Sequence, residues 1–227
     1  MSLRRFTKGA LLLALLAPST LGSCAADSVS LRVTCNVAPE ADCTYTEGGL
    51  CQSQGMLNLG AGTGSYFAML KATSGLKPRK RDVPPQSEPN GLEVNEVEVH
   101  VTDSAGREPD FPPSLPNPFT VPANGFAEPD GDALVGVDLL PAAYVGQIKV
   151  LRANGAALGS VQLSIILRAK TSGGENVESG GWHWTVKIID KSTDPARLQC
   201  EVFEDKVCVL GQDGASYASD PALVEKP

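Results

Sequence analysis

Cysteine thiols are the groups in this chain whose chemistry depends most clearly on spacing. Three of the six are separated by intervals of eight residues, and two more repeat that interval near the other end: Cys24, Cys35, Cys43, Cys51, Cys200 and Cys208. An interval of eight is too wide for the paired Cys-x-x-Cys of a zinc site, and only His100 and His183 could complete one. We therefore expect no metal centre, and we expect disulfides if the chain is exported.

The first residues predict export. Arg4, Arg5 and Lys8 form a basic start, and the apolar run 10–17 is too short to span a bilayer as a helix. This order of charge and hydropathy is typical of a signal peptide.

The end of that signal, Leu21-Gly22-Ser23-Cys24, resembles the lipobox of bacterial lipoproteins. The resemblance implies a signal peptide over 1–23, cleavage before Cys24 and a lipid on the Cys24 thiol. The expected partner is then a membrane, in which this lipid anchors the protein. Ala25, rather than Asp, implies the outer membrane by resemblance to the sorting rule of enteric lipoproteins. The alternative is cleavage after Ser23 or Ala26 by the general signal peptidase, without lipid.

Lipidation of Cys24 leaves five cysteines, an odd number. We predict that Cys43 pairs with Cys51 and that Cys200 pairs with Cys208, each pair closing a short loop. Cys35 is then left over.

Length and charge narrow the class of protein. About 200 mature residues suit one large β domain with a substantial core. The signal holds three of the 19 basic residues and none of the 26 acidic ones, so its removal takes the formal charge from -7 to -10. Nucleic acid is excluded as a partner, because phosphate binding needs a basic face.

One segment resembles the first motif of class I methyltransferases, namely the run Met56 to Gly64 (MLNLGAGTG) before 65–70. In that family a strand enters a glycine-rich turn that binds S-adenosylmethionine, and a helix follows. Asn58 stands where the family usually has an acidic residue, and no strand-helix alternation follows. We expect two strands, 56–60 and 65–72, around a turn, and no cofactor.

The middle of the chain alternates apolar and polar residues. Strands are predicted over 28–34 and 92–101, with a phase slip between Val94 and Val97 that indicates a β-bulge. The polar face of the second strand carries His100, which we expect to be exposed. The basic stretch 77–90 between these strands is predicted to be a solvated loop, or alternatively a contact with anionic headgroups.

Seven prolines fall within 108–132 and predict a long loop without a central strand. Phe111, Leu115, Phe119 and Phe126 are expected to pin this loop onto the domain. The alternative is a surface for partners.

The C-terminal half gives the clearest β pattern, with strands predicted over 134–140, 146–152, 157–170 and 181–190. The third and fourth should form an antiparallel pair. Trp182 and Trp184 would then face the core and His183 would face outward. A sugar-binding platform on the two tryptophans is the alternative to a core role.

Over most of its mature length the chain resembles predicted lipoproteins of unknown function from gliding Gram-negative bacteria. The segments that carry this resemblance are 55–59, 65–70, 118–122 with 125–126, and 172–179. It implies a surface or periplasmic β module and supplies no catalytic residues.

These patterns together predict an all-β protein, an antiparallel β-sandwich that is immunoglobulin-like in general architecture. Its expected parts are the signal (1–23), a Cys-rich segment and tether (24–54), the sandwich (55–210) with its Pro-rich loop (108–132), and a tail (211–227). The expected function is that of a lipid-anchored, non-enzymatic envelope module for adhesion or assembly. An envelope carbohydrate binder or enzyme is the alternative, and a methyltransferase is a remote one.

Overall fold

The computed structural model of the protein describes residues 30–40, 44–61, 64–78 and 89–190. The elements follow the chain as β1 (Leu31–Asn36), β2 (Gly55–Asn58), β3 (Tyr66–Ser74), β4 (Leu92–Asp103), β5 (Phe119–Ala127), β6 (Asp132–Leu140), α1 (Ala142–Ala153), β7 (Ser160–Thr171), β8 (Asn176–Glu178) and β9 (Trp182–Ile189). Strands dominate, so the prediction of an all-β protein is confirmed.

The strands form one mixed sheet in the order β1-β3-β6-β5-β4-β7-β9-β2, with β8 beside β7. Neighbouring strands are antiparallel except β2, which runs parallel to β9. The sheet curls into a half-barrel, and one cluster of buried side chains from both of its halves fills the inside.

The corner of the half-barrel lies where β5 changes partner. Its residues on either side of the corner pair with β4, whereas Ala123 and Asn124 pair with β6. At the same level the register of β4 shifts around Asn95 against both of its neighbours. The predicted β-bulge is therefore confirmed, and such bulges let a strand turn from one part of a sheet to another.

The prediction that the prolines exclude a central strand is wrong. Strand β5 lies between β6 and β4, with Pro122 opposite Glu96. A proline cannot donate to the ladder, and a bulge is one of the few places where a sheet tolerates that loss. The bulge at Asn95 adjoins Glu96, so Pro122 falls at such a place.

The strand predicted over 146–152 is also wrong, because helix α1 occupies that part of the chain. Tyr144, Val145 and Ile148 are its buried residues, a spacing that places them on one helical face. After the helix, Gly155 has φ +91° and allows the chain to turn away.

The remaining C-terminal strands match the prediction. Strands β7 and β9 pair antiparallel, with Leu163 opposite Trp184 and Ile165 opposite Trp182. Trp184 is buried, Trp182 is half-buried and His183 is exposed.

The predicted disulfide pattern is wrong at Cys51, which bonds to Cys35 with an S–S distance of 2.06 Å. Val37 forms an isolated bridge with Cys51, so the chain returns to the end of β1 sixteen residues after Cys35. Sequence spacing favoured the shorter loop, whereas strand pairing places residue 51 beside residue 35. Cys24, Cys43, Cys200 and Cys208, and with them lipidation and the other predicted bridge, lie outside the described residues.

Strand β1 belongs to the segment 24–54 that was expected to be a Cys-rich tether, and it pairs with β3. Asn36 at its end is buried, accepts a hydrogen bond from the Met69 backbone N–H at 3.1 Å and donates one to Gln52 at 2.9 Å. This segment therefore contributes a strand to the sheet. Among the described residues, no helix has both the length and the apolar character to cross a membrane.

Candidate functional site

A groove of about 560 Å³ lies at one end of the half-barrel, between β1 and β3 on one side and the start of β9 on the other. The turn between β5 and β6 completes its rim. The lining residues are Arg32, Val33, Thr73, Ser74, Gly75, Asp130, Gly180, Gly181 and Trp182. Its volume falls within the range of small-ligand pockets.

The aromatic wall of the groove is held rigidly from behind. The Trp182 ring stacks on the Trp184 ring, with centroids 5.3 Å apart and planes 16° from parallel. Trp184 in turn donates a hydrogen bond from Nε1 to the hydroxyl oxygen of Tyr66 at 3.0 Å. Trp184 and Tyr66 are buried, so they fix the ring that borders the groove.

The acidic groups beside the groove are already engaged. Asp130 accepts a hydrogen bond from Lys77 Nζ at 2.7 Å, and Asp132 lies 2.9 Å from Lys71 Nζ. Thr73 donates a hydrogen bond to Asp132 at 2.6 Å, and this bond, with the one from Lys71, lowers the pKa of Asp132. Both aspartates are therefore paired with a lysine, and the hydrogen bonds to Asp132 favour its ionised form.

Arg32 differs from the two lysines. It is exposed on β1, opposite Thr73 on β3, and its charge helps to lower the pKa of Asp132. Within residues 30–40, 44–61, 64–78 and 89–190, no hydrogen bond or ion pair holds its guanidinium. The groove therefore combines a fixed aromatic ring with an exposed arginine that has no ion pair to the described residues.

A second, smaller cavity of about 290 Å³ lies between the end of β4 and the residues after α1. Asp103 on its wall accepts hydrogen bonds from the backbone of Arg107 and Ala105 and from the Arg107 side chain. The Arg107 backbone N–H is the main cause that lowers the pKa of Asp103. Nearby, His100 Nε2 lies 2.8 Å from Glu108. These contacts close the β4 turn, so Asp103 has a structural role.

The residues proposed as a partner surface lie in two places. Phe111 and Phe119 contact the Tyr144 ring on α1, with centroid distances of 5.4 Å and 3.9 Å. Phe119 is buried, and Phe111 and Leu115 are half-buried against the core. These three pin the Pro-rich segment as expected.

Phe126 was expected to pin the segment too, and that expectation is wrong because its side chain is 54% exposed. The two tryptophans are separate from this cluster. Trp184 lies behind the groove and Trp182 lines it.

The segment that resembles a methyltransferase motif has a different structural context. Strand β2 leads into a short 3-10 turn at Leu59–Ala61, and the next element is strand β3 instead of a helix. Asn58, where that family has an acidic residue, is buried and accepts a hydrogen bond from the Gly60 backbone N–H at 3.1 Å. The two predicted strands exist, but they do not pair, since β2 lies beside β9 and β3 lies between β1 and β6.

Sequence patterns missed the polar half of the groove. Arg32 was visible only as the outward residue between two apolar ones, and Asp130 only as part of an Asp-Gly-Asp run. Nothing in the sequence places these residues beside Trp182, because they meet through the curl of the sheet.

Comparison with protein-family models gives no match, and comparison with curated proteins gives none either. Across the described residues, no three His, Cys, Asp or Glu side chains converge to hold a metal ion. The groove is therefore interpreted from its own chemistry.

Proposed function

We propose that the chain is a lipid-anchored, non-enzymatic module of the cell envelope that works by binding, in adhesion or assembly. The lipobox-like end of the signal at Cys24 supports the anchor and the outer membrane as its location. The groove beside Trp182 supports binding, and it is the observation that carries the proposal.

The pKa values of two aspartates support binding over catalysis. A general acid at neutral pH needs a raised pKa, whereas the pKa values of Asp103 and Asp132 are both lowered. Asp130, on the groove wall, is paired with Lys77. Ion pairs of this kind shape a surface and leave the fixed ring and Arg32 as the groups that a partner would contact.

We further propose that the module is a β-sandwich, immunoglobulin-like in general architecture, whose two layers are the parts of the sheet on either side of β5. The change of partner at Ala123 and Asn124 supports this, as does a core drawn from both parts. Distances measured in solution between labels on the two parts of the sheet would test it, since facing sandwich layers lie about 10 Å apart. A continuous barrel wall without facing layers would contradict it.

The anchor is tested by the mass of the mature N-terminal peptide and by fractionation of cells. We expect a peptide that begins with acylated Cys24 and a protein that enters the detergent phase. The variant Cys24→Ser lacks the thiol that would carry the lipid, so it should stay uncleaved or appear in the soluble fraction. The wild type should stay on the membrane, because several acyl chains hold a protein there much longer than one does. An unmodified Cys24, or another first residue, would contradict the anchor.

The binding role is tested by a photo-cross-linking amino acid in living cells. Placed at Gly181 in the groove, it should yield adducts with an envelope component. Placed at Lys187, an exposed residue further along β9, it should yield none. Equal adducts at the two positions would show that the groove is not the binding surface.

A further inference from the structure

The groove combines an aromatic ring with a cation, a composition that suits a subsite for a negatively charged sugar. A pyranose presents apolar C–H groups on one face, and these pack on the electron-rich face of an indole ring. Trp182 offers such a ring, stacked on Trp184 so that it has little freedom left to lose on binding. A volume of about 560 Å³ accommodates more than a small ion.

The charges select an anionic ligand. Lys77 and Lys71 are paired with Asp130 and Asp132, which leaves Arg32 as the cation with no ion pair to the described residues. A guanidinium presents parallel N–H donors that match the two oxygens of a carboxylate. A neutral sugar would leave this group unused.

From this geometry we infer that the groove binds a carboxylate-bearing sugar, such as a uronic acid unit of an acidic polysaccharide. The sugar ring lies on Trp182, and its carboxylate is bound by Arg32. This assignment rests on the proposed binding function and names the class of ligand.

The test uses the full mature protein in detergent and calorimetry with two matched probes. One is a galacturonic acid hexasaccharide, and the other is the same hexasaccharide with its carboxylates methyl-esterified. The wild type should bind the acid roughly tenfold or more tightly than the ester, because the ester removes the charge-assisted hydrogen bonds. Raised salt should weaken only the binding of the acid.

Variants separate the two contacts. Arg32→Gln should weaken binding of the acid roughly tenfold and leave the ester unchanged. Trp182→Ala should weaken both probes, and Trp182→Phe should restore most of the affinity. Phe126→Ala and Lys187→Gln change an exposed aromatic residue and an exposed cation outside the groove lining, and neither should alter binding.

Three outcomes would overturn the inference: no saturable binding of the acid, equal binding of acid and ester, or full affinity in Arg32→Gln. The measurement on Arg32→Gln remains informative even if Trp182→Ala fails to fold, because Arg32 is exposed and its substitution should leave the fold intact. Failure with the sugars while cross-linking at Gly181 persists would remove only the ligand class. Absence of both sugar binding and cross-linking at Gly181 would contradict the proposed binding function as well.

Discussion

The contact between Gly55, Tyr66 and Trp184 is the residue-scale support of the groove. The Tyr66 hydroxyl and the Trp184 indole N–H meet in a buried hydrogen bond beside the backbone of Gly55. A buried donor and acceptor must be paired, so this bond fixes the position of the ring on which Trp182 stacks. The glycine is required because any side chain there would occupy the space of the two rings.

We predict that Gly55→Ala destabilises the protein by about 1–3 kcal/mol, the usual effect of overpacking a core. Its Cβ would lie 2.8 Å from Trp184 Nε1 and 2.9 Å from Tyr66 Cζ, and both rings are buried. Urea unfolding followed by tryptophan fluorescence measures the change. Gly146→Ala is the control, because residue 146 is exposed on α1 with open space around it. That variant should gain about 0.5–1 kcal/mol, and a loss of the same size in both variants would contradict the steric argument.

The ion pair at Asp132 predicts how stability depends on pH. The hydrogen bond from Thr73, followed by the one from Lys71, lowers the folded-state pKa below the ordinary aspartate value of about 3.9. The resulting stabilisation is complete above that value and is lost as the pH falls through the lower, folded-state pKa. Urea midpoints of wild type and Asp132→Asn should therefore differ at neutral pH and converge in acid. A difference that is constant from pH 7 to pH 2.5 would contradict this.

At the scale of elements, sequence patterns succeeded where one residue alternation was long. The β4, β7 and β9 strands were predicted, including the bulge at Asn95, because buried positions repeat every second residue. Helix α1 was missed because a short window over 146–152 leaves out Tyr144 and Val145, which show the helical spacing. Strand β5 was missed because the tolerance for Pro122 depends on a bulge in another strand. The groove was predicted only in part for the same reason. Trp182 was identified from its own strand, whereas Arg32 was missed because it lies on a different strand.

The disulfide is the element-scale link between the sheet edge at β1 and the segment before β2. Non-reducing peptide mapping should recover a peptide that joins Cys35 to Cys51, and a peptide joining Cys43 to Cys51 would contradict the structure. Cys51→Ala should lower the free energy of unfolding by about 3 kcal/mol, as expected for a bridge that spans sixteen residues. Reduction of the disulfide in the wild type should narrow the difference in the free energy of unfolding between the wild type and Cys51→Ala.

At the scale of the whole molecule, the two parts of the sheet depend on the corner at β5. Among the described strands, hydrogen bonding passes from β4 to β6 only through β5, by its short pairing at Ala123 and Asn124. The core is continuous beneath it, so both parts should unfold together while the corner holds. Gly125, next to the corner, allows β5 to approach β6 closely, because a Cβ there would lie 2.6 Å from Val135 Cγ2 and 3.0 Å from the Leu134 carbonyl oxygen.

We predict that Gly125→Ala weakens this link, so that it reduces cooperativity in addition to its local steric cost. The methyl group should push β6 away, lower stability by about 1–3 kcal/mol and reduce the cooperativity of unfolding. Native-state hydrogen exchange should show that β3 and β6 lose protection before β4 and β7, because the two parts then open separately. Gly159→Ala, with open space at its Cβ, should leave protection equal in the two parts. If Gly125→Ala lowers protection of all four strands by the same factor, the corner is not the weak point, and the continuous core alone makes the molecule one cooperative unit.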